Sequence, residues 1–527
     1  MARKEDVQTQ YDSKAERARA EREARLEAQK NRDGSHKPHK GKTKLGKKIL
    51  TVILALLAVA AITITILWQT GVIQRNLNAI TIADNNVTIN EYNYNYNTLV
   101  GTYTRYFGKG GLLDKKADSS AATKEDLTWG EFFEKTTNKN LQQVNLLYQE
   151  AVKSGFELSE ENVKEIDNYI ESMKQQTGSP LNFEIYLQNL YGKGMNVDSL
   201  RELMLKNKLA TEFANKKPST YEISQEEIDK EYNENTNKYD LVTFNSFQIV
   251  TDTKDSEDKA LTSEELKKAK EKSEAKAKES VEKISKGEEF KKVAIEMATD
   301  EKSKEKLQKS EDDLTLQENI TLSNLTNKDI LDWLTAKDRK AGDVKYFEIG
   351  DNYQILKFGE RKADTRNIAD VRISRFSLYD SKGNEITEEQ KKAVKNNAVG
   401  MTKAINSEAD FEKFDKEAKD NKDSEKILQS ESVKYENVDA MNEAKLQKKV
   451  LDFVLSPEAQ TGKTELIETD TFIYVVHIVD KKDVTSKDHQ IISALQMKKS
   501  EEDLKKLTEA PKNQVKPVYP GYWFAKR

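Results

Sequence analysis

The chain has 527 residues, 87 Lys/Arg against 91 Asp/Glu for a net charge of −4, and a mean hydropathy of −0.82. That is length enough for three or four ordinary domains with a well-solvated bulk. There is no cysteine, which excludes disulfides, thiolate metal sites and a lipid-modified N-terminal Cys together.

Residues 1–48 carry fifteen Lys/Arg against eight Asp/Glu, eight of those bases between Lys30 and Lys48. The stretch 12–30 is an Ala/Arg/Glu helix former with no apolar stripe and reads as a solvated helix. Residues 49–68 follow with no charge and only three threonines, matching the ~20 residues that cross ~30 Å of hydrocarbon. Only Arg75 is basic between Gln69 and Asn90, so the positive-inside bias puts the N-terminus in the cytoplasm and the bulk of the chain outside, a single-pass arrangement in the cell membrane. A cleaved signal is the rival, since Ala58-Val59-Ala60 resembles a cleavage site. The apolar run continues past it and 48 residues precede it, which favours an uncleaved anchor over 49–70. With +7 on the arm, the remainder carries −11, a poor match to nucleic acid.

Beyond the span, residues 79–89 read as one short strand. In 91–107, Tyr92, Tyr96, Val100, Tyr103 and Phe107 share a helical face, and this pattern outlasts the alternation of Tyr92, Tyr94 and Tyr96. Residues 108–122 are a Gly/Lys/Ser-rich loop. Further helices are expected around Leu141–Val152, up to Gly155, and over 161–176, 183–191 and 197–215. A capping box, Ser224-Gln225-Glu226-Glu227, opens another through Asn235.

The rest repeats itself. Ile330-Leu331-Asp332-Trp333 through Lys362 is echoed 120 residues later, without a gap, by Val450-Leu451-Asp452-Phe453 through Lys482, with Gly342 over Gly462 and Ile355 over Val475. A period this long is a domain duplication, because solenoid units run ~20–50 residues. Each copy has an opening strand (242–250; 370–379), a helix behind a capping box (Thr262 to Glu265; Thr387 to Gln390), a short helix bearing Phe290 or Phe411, a helix bearing Trp333 or Phe453, and two closing strands (344–348 with 353–358; 464–468 with 472–479). Strands segregated from helices imply an α+β unit with an antiparallel sheet. A tail helix, 490–507, presents Ile491, Ile492, Leu495 and Leu504 without a partner in copy two, and is expected to pack on the N-terminal helical region.

The segment 224–250, "SQEEIDKEYNENTNKYDLVTFNSFQIV", resembles the helix and first strand that join the helical region to the isomerase domain in PrsA/SurA-like foldases. Lys286-Gly287-Glu288-Glu289-Phe290 through Ala294, followed by Thr299-Asp300, is similar to the "GxxFxxxA…SxD" stretch of parvulin-type peptidyl-prolyl isomerases, and 351–357 to their last strand. The entry 87–92 and the stretch 186–214 resemble the family's helical substrate-binding region. Beyond the span, the resemblance implies a SurA N-terminal-like helical lobe over 79–236, tandem parvulin-like domains over 239–364 and 367–485, and a tail over 486–527.

It also implies work on prolines in other proteins: X-Pro bonds turn over a barrier of about 20 kcal/mol, slow enough to limit folding. Family members do this over a hydrogen-bonded floor with histidines on the first and last strands. Here the first-strand position falls on Ser246 or Phe247 in copy one and on Arg375 in copy two, and the last-strand position on Gln354 and Tyr474. The family's "GGxLG" stretch is missing too, with 308–314 and 429–433 in its place. His36 and His39 are cytoplasmic, which leaves His477 and His489, and His477 has no carboxylate or second His at an obvious spacing. No catalytic residue is carried over.

Gly462-Lys463-Thr464 ends like a phosphate-binding loop, but Pro457 stands where that loop needs glycine; no nucleotide is expected. No metal-ligand spacing appears and no cofactor is implied. Tyr92, Tyr94, Tyr96, Tyr103, Tyr106 and Phe107 could line a client crevice or pack a helical core. The reading is a membrane-anchored extracytoplasmic chaperone for unfolded, exported polypeptides with degenerate isomerase domains. An active isomerase with a non-standard site, or a non-catalytic envelope adaptor, are the alternatives.

Overall fold

The computed structural model describes residues 5–33, 42–107, 113–117, 125–254, 259–298, 301–310, 312–380, 382–420 and 430–525. His36, His39, Thr299-Asp300, Gln429 and most of the expected loop 108–122 lie outside these residues. The chain forms two compact units, one of Met1–Phe213 with Leu507–Arg527 and one of Ala214–Lys506.

The first unit begins with α1 (Glu5–Asp33) and α2 (Lys42–Gln69). Within α2, Lys48–Gln69 is long and apolar enough to cross a membrane and none of it is buried; Thr63 and Thr65 donate their hydroxyls to Val59 O and Ala61 O (2.9 and 2.8 Å), so they leave no polar group unpaired. After α3 (Val72–Asn76), residues 79–89 are not one strand. Ala83 takes a φ of 52° and turns the chain between β1 (Asn78–Ile82) and β2 (Asn85–Thr88). The Thr88 hydroxyl then accepts the Glu91 N–H (3.2 Å) as α4 (Ile89–Phe107) starts. Four more helices follow: α5 (Trp129–Lys153), α6 (Glu160–Gln175), α7 (Pro180–Tyr191) and α8 (Val197–Lys216). The α5 helix starts well before Leu141, behind a capping box of Thr128 and Glu131.

A terminal strand, Val515–Pro517, pairs antiparallel with β1, Ile80 opposite Pro517 and Ile82 opposite Val515, giving a three-stranded sheet ordered terminal strand–β1–β2. Ala79, Ile80 and Ile82 are fully buried beneath it with Tyr92, Phe133 and Leu141. Gln142 of α5 donates its amide to Thr508 O and Asn513 O, both at 2.9 Å. In the helix Gly521–Phe524, a Cβ on Gly521 would lie 2.0 Å from Asn78 O, so only glycine allows this approach.

The second unit opens with α9 (Gln225–Glu234) and α10 (Thr236–Tyr239) and then presents one arrangement twice. The first copy runs β3 (Asp240–Ile249), α11 (Ser263–Ser285), α12 (Phe290–Met297), α13 (Glu301–Lys309), β4 (Leu316–Thr321), α14 (Lys328–Leu334), β5 (Val344–Ile349) and β6 (Asn352–Ala363). The second runs β7 (Asn367–Ser377), α15 (Glu388–Ala404), α16 (Phe411–Asp420), β8 (Val433–Val438), α17 (Lys448–Leu455), β9 (Thr464–Glu468) and β10 (Phe472–Thr485). The antiparallel sheets are ordered β4-β3-β6-β5 and β8-β7-β10-β9. Edge strands β4 and β8 were not expected; each is short and polar and carries an asparagine at positive φ, Asn319 (52°) and Asn437 (51°), beside a register shift. Helices cover both faces, α11 and α12 against Ile249, Tyr353 and Ile355, and α14 against Val242, Phe244 and Leu356. Arg361 donates to Thr335 O just past α14 (3.3 Å), and Lys481, 120 residues on, to Val454 O at the end of α17 (2.7 Å). Cations at helix C-termini satisfy orphan carbonyls.

The tail helix α18 (Ser486–Glu509) seats Ile491, Ile492 and Leu495 against Ile223, Ile228, Tyr232 and Tyr239. Its apolar face therefore meets the short helices α9 and α10 of the same unit, whereas the chain beyond Leu507 completes the first unit. His477 of β10, 3% exposed, faces Phe411 and bonds through Nδ1 to the Thr464 hydroxyl (2.9 Å). Arg372, opposite it, is paired to Asp415 (3.0 Å).

Gly521→Ala should destabilise the first unit by about 1–3 kcal/mol, a typical cost of forced overpacking, read from unfolding monitored at buried Trp129; a change below about 0.5 kcal/mol would contradict the close approach. Burial holds His477 below the ordinary histidine range, against the pull of Asp410 and Glu408. As pH falls through about 6.5 the unfolded chain gains a proton that the folded one does not, so stability drops there. Unfolding at pH 7.5 and 5.5 should show a larger acid loss for the natural chain than for His477→Gln; equal losses would refute this.

Candidate functional site

Strand alternation decides which first-strand residue can meet the last strand. Ser246 and Phe247 point to opposite faces of the first sheet. Phe247 packs edge-on against Phe290 (5.2 Å between centroids) under α12. Ser246 lies on the α14 face, where its hydroxyl accepts the side-chain amide of Gln354. The register places Gln248 directly opposite Gln354, and Arg375 directly opposite Tyr474. Arg375 is thus the counterpart of Gln248, a residue that sequence reasoning passed over because the bulge at Thr243/Phe244 hides the strand register.

The two floors differ in chemistry. In the first copy Ser246, Gln248 and Gln354 are neutral amide and hydroxyl groups that can donate and accept. A cavity of about 430 Å³ opens beside Ser246, lined by Phe247, Val250, Ala294, Leu307 and Leu314. In the second copy the Arg375 guanidinium lies over the Phe472 ring (5.0 Å), and that ring packs on Tyr474 (5.8 Å). Burial pushes the Tyr474 hydroxyl up, with Arg375 opposing. This floor is a cation stacked on aromatic rings. Neither holds two titratable groups poised to exchange a proton.

The tyrosines of α4 separate by face. Tyr92 and Tyr96 are buried in the first unit's core, and Tyr103 packs among Trp129, Phe132 and Phe133 at 5.1–6.4 Å. Tyr92 and Tyr96 have no surface to offer a second chain, and Tyr103 is half-buried against the same core. The side chains of Tyr106 and Phe107 lie outside the described residues. Tyr94 instead joins Tyr191 (5.0 Å) on the α6–α7 side, where Tyr169 and Tyr186 are close enough to raise the Tyr191 hydroxyl, which burial first of all pushes up to about 12.

That side carries five exposed large apolar or aromatic residues: Tyr169, Leu181, Ile185, Tyr186 and Leu190. Ser179 caps α7, Pro180 fits its first turn, and Phe183 and Leu187 bury its inner face. The outer face repeats the spacing with apolar residues: Leu181 is 69% exposed and Ile185 51%, with Tyr186, Leu190 and Tyr169 of α6 also exposed. Large apolar residues left exposed together on one helix are candidates for an interaction surface. A second recess, of about 400 Å³, lies between α5, α6 and α8, walled by Tyr148, Phe156, Leu158, Val163, Leu205 and Leu209. Beside it, the Lys206 ammonium donates to Glu91 (2.7 Å) and Asn145 Oδ1 (2.8 Å). Among the described residues, no group of three or more His, Asp and Glu is placed to hold a metal ion.

Comparison with known proteins bears on this arrangement. Residues 41–213 match the SurA-like N-terminal domain, a stretch that takes in the apolar helix, β1, β2 and helices through α8. No curated protein matches the chain. Among solved structures, the foldase protein PrsA from Streptococcus pneumoniae is 21% identical over 47% of this chain and 79% of its own, with a TM-score of 0.18. PrsA from Bacillus subtilis is 22% identical over 47% and 79%, TM-score 0.15. Peptidylprolyl isomerase (PrsA) from Bacillus cereus is 20% identical over 48% and 78%, TM-score 0.21. Superpositions at such scores carry no detail onto individual residues. The chain is therefore similar to PrsA/SurA-like foldases, through a SurA-like N-terminal domain at residues 41–213.

Proposed function

We propose that this protein is a membrane-anchored extracytoplasmic chaperone that captures unfolded, recently exported polypeptides on the apolar outer face of α6 and α7. The observation that carries the reading is that face: large apolar side chains left in water on a SurA-like N-terminal domain. Burying Leu181 and Ile185 against a client removes apolar area from water, at ~1.5–3 kcal/mol for each side chain fully covered. Such binding needs no sequence in the client beyond scattered apolar residues, and it reverses once the client buries them itself. The span Lys48–Gln69, flanked by the base-rich arm, supports a cytoplasmic N-terminus and capture beside the membrane.

In this reading the two repeats of the second unit are tandem parvulin-like domains. Their equal strand order and the matched positions Asn319/Asn437 and Arg361/Lys481 support a shared ancestry of fold. Their degenerate floors at Ser246, Gln248 and Gln354 and at Arg375 and Tyr474 support loss of isomerase catalysis, because no ionisable pair is preorganised around a twisting amide. One observation favours a second reading, an isomerase with a non-standard site in the first copy: Ser246, which accepts a hydrogen bond from Gln354, also borders a cavity of mixed polar and apolar lining.

The full chain in lipid nanodiscs, given a proline-containing peptide and separately an aggregating unfolded client, should leave the isomerisation rate near its uncatalysed value and slow aggregation. A robust rate lost on Gln354→Ala would promote the second reading. Leu181→Ser with Ile185→Ser, both on exposed positions, should leave stability within about 0.5 kcal/mol. The pair should weaken client binding about tenfold, equivalent to ~1.4 kcal/mol. Unchanged client binding would remove α7 from the account.

A further inference from the structure

The C-terminal aromatic segment sits at the mouth of the apolar helix. Phe524 packs edge-on against Trp68, in the last turn of α2, with ring centroids 5.0 Å apart. Tyr522 turns the other way, its ring against Tyr92 (5.8 Å) and its hydroxyl accepting from Asn138 (3.3 Å). Between them, Trp523 points to solvent at 65% exposure, and Tyr519, 58% exposed, stacks near it with ring centroids 5.3 Å apart. Two large amphipathic rings are thus held out of the core by neighbours that pack, half-buried, against it.

No slack separates this segment from the span. Only Thr70 and Gly71 lie between α2 and α3. Arg75 donates to Gly194 O (3.0 Å), Lys193 to Gln69 Oε1 (2.8 Å), and a Cβ on Gly71 would lie 2.3 Å from Gly194 Cα. The end of α2 is therefore clamped into the unit that carries Trp523. The hydrocarbon core is ~30 Å thick and the headgroup layers bring the bilayer to ~40–45 Å, roughly 5–8 Å on each side. Consecutive Cα atoms are ~3.8 Å apart, so Trp523, one residue from the ring that touches Trp68, is within reach of that layer when α2 crosses the bilayer.

We propose that Trp523 and Tyr519 insert among the lipid headgroups on the exterior side, making the C-terminal segment a second membrane contact that fixes the first unit against the bilayer. The occupant is the lipid surface the span already crosses, by continuity with Trp68. Indole and phenol suit it because each offers an apolar body and a polar tip to a layer that is both. The inference rests on the anchored-span part of the proposed function and is independent of client capture.

Because the chain has no cysteine, Trp523→Cys and, as a solvent reference, Lys153→Cys can each carry one spin label in the full chain reconstituted into phosphatidylcholine nanodiscs. The label at 523 should collide several-fold more with oxygen, relative to a water-soluble nickel chelate, than the label at 153. Equal ratios would overturn the proposal. Carbonate extraction of the chain from vesicles of the same lipid reports the span separately: a retained chain with an aqueous label defeats this inference alone, and an extracted chain defeats the span and the inference together. An unlabelled measurement guards against a perturbed variant. Fluorescence of the natural chain should be quenched by headgroup-proximal doxyl lipid more than that of Trp523→Phe, and equal quenching would again overturn the proposal.

Discussion

The pairing of the terminal strand Val515–Pro517 with β1 is the constraint on which the molecule depends. β1 is central in its sheet, and its buried Ala79, Ile80 and Ile82 need both neighbours to satisfy their backbone groups. One neighbour comes from the adjacent hairpin and the other from more than 400 residues away in sequence. Gln142, bonded to Thr508 and Asn513 carbonyls, ties α5 to the same return. The first unit is therefore incomplete until the last residues arrive, and everything from Ala214 to Lys506 is threaded between its two parts. Contacts of such sequence separation make folding slow.

The two repeats separate what packing preserves from what chemistry requires. Positions that serve the backbone recur: glycines at 342 and 462 with φ of 93° and 84°, asparagines at 319 and 437 in the left-handed region, cations at 361 and 481 on helix ends. Losing any of these costs stability wherever the fold is used. Of the floor positions, Gln248 and Arg375 are exposed and Gln354 is half-buried, whereas Tyr474 packs into the second copy's core. A sheet can keep its architecture while its floor passes from neutral amides to a cation over aromatic rings.

Much of this was legible in the sequence for identifiable reasons. The span, helices α4 and α6 to α8, the capping boxes at Ser224, Thr262 and Thr387, and the closing strands of each repeat rest on local signals: uncharged length, helical period, a cap with its return partner, a glycine turn. The start of α5 was readable too, since Thr128 and Glu131 have capping-box spacing, but it lies behind a loop of little periodicity. Edge strands Leu316–Thr321 and Val433–Val438 were not readable because their polar faces meet water and their pairing is set by partners elsewhere. The burial of Tyr92 and Tyr96 depends on β1 and α5 closing over α4, and the terminal strand on a partner far off in sequence. The exposed face of α7 shows in sequence as an apolar helix, indistinguishable there from a buried one.

The account's central claim is that an unfolded chain is held by the apolar face of α7 and not on the floor of the first repeat. A photo-crosslinking amino acid placed at Ile185, and in a separate chain at Gln248, both in nanodiscs with an unfolded proline-containing client, tests this directly. The account predicts abundant client adducts at 185 that disappear when the client has folded, and few at 248. Adducts confined to 248 and mapping to the client's Xaa-Pro segments would contradict it.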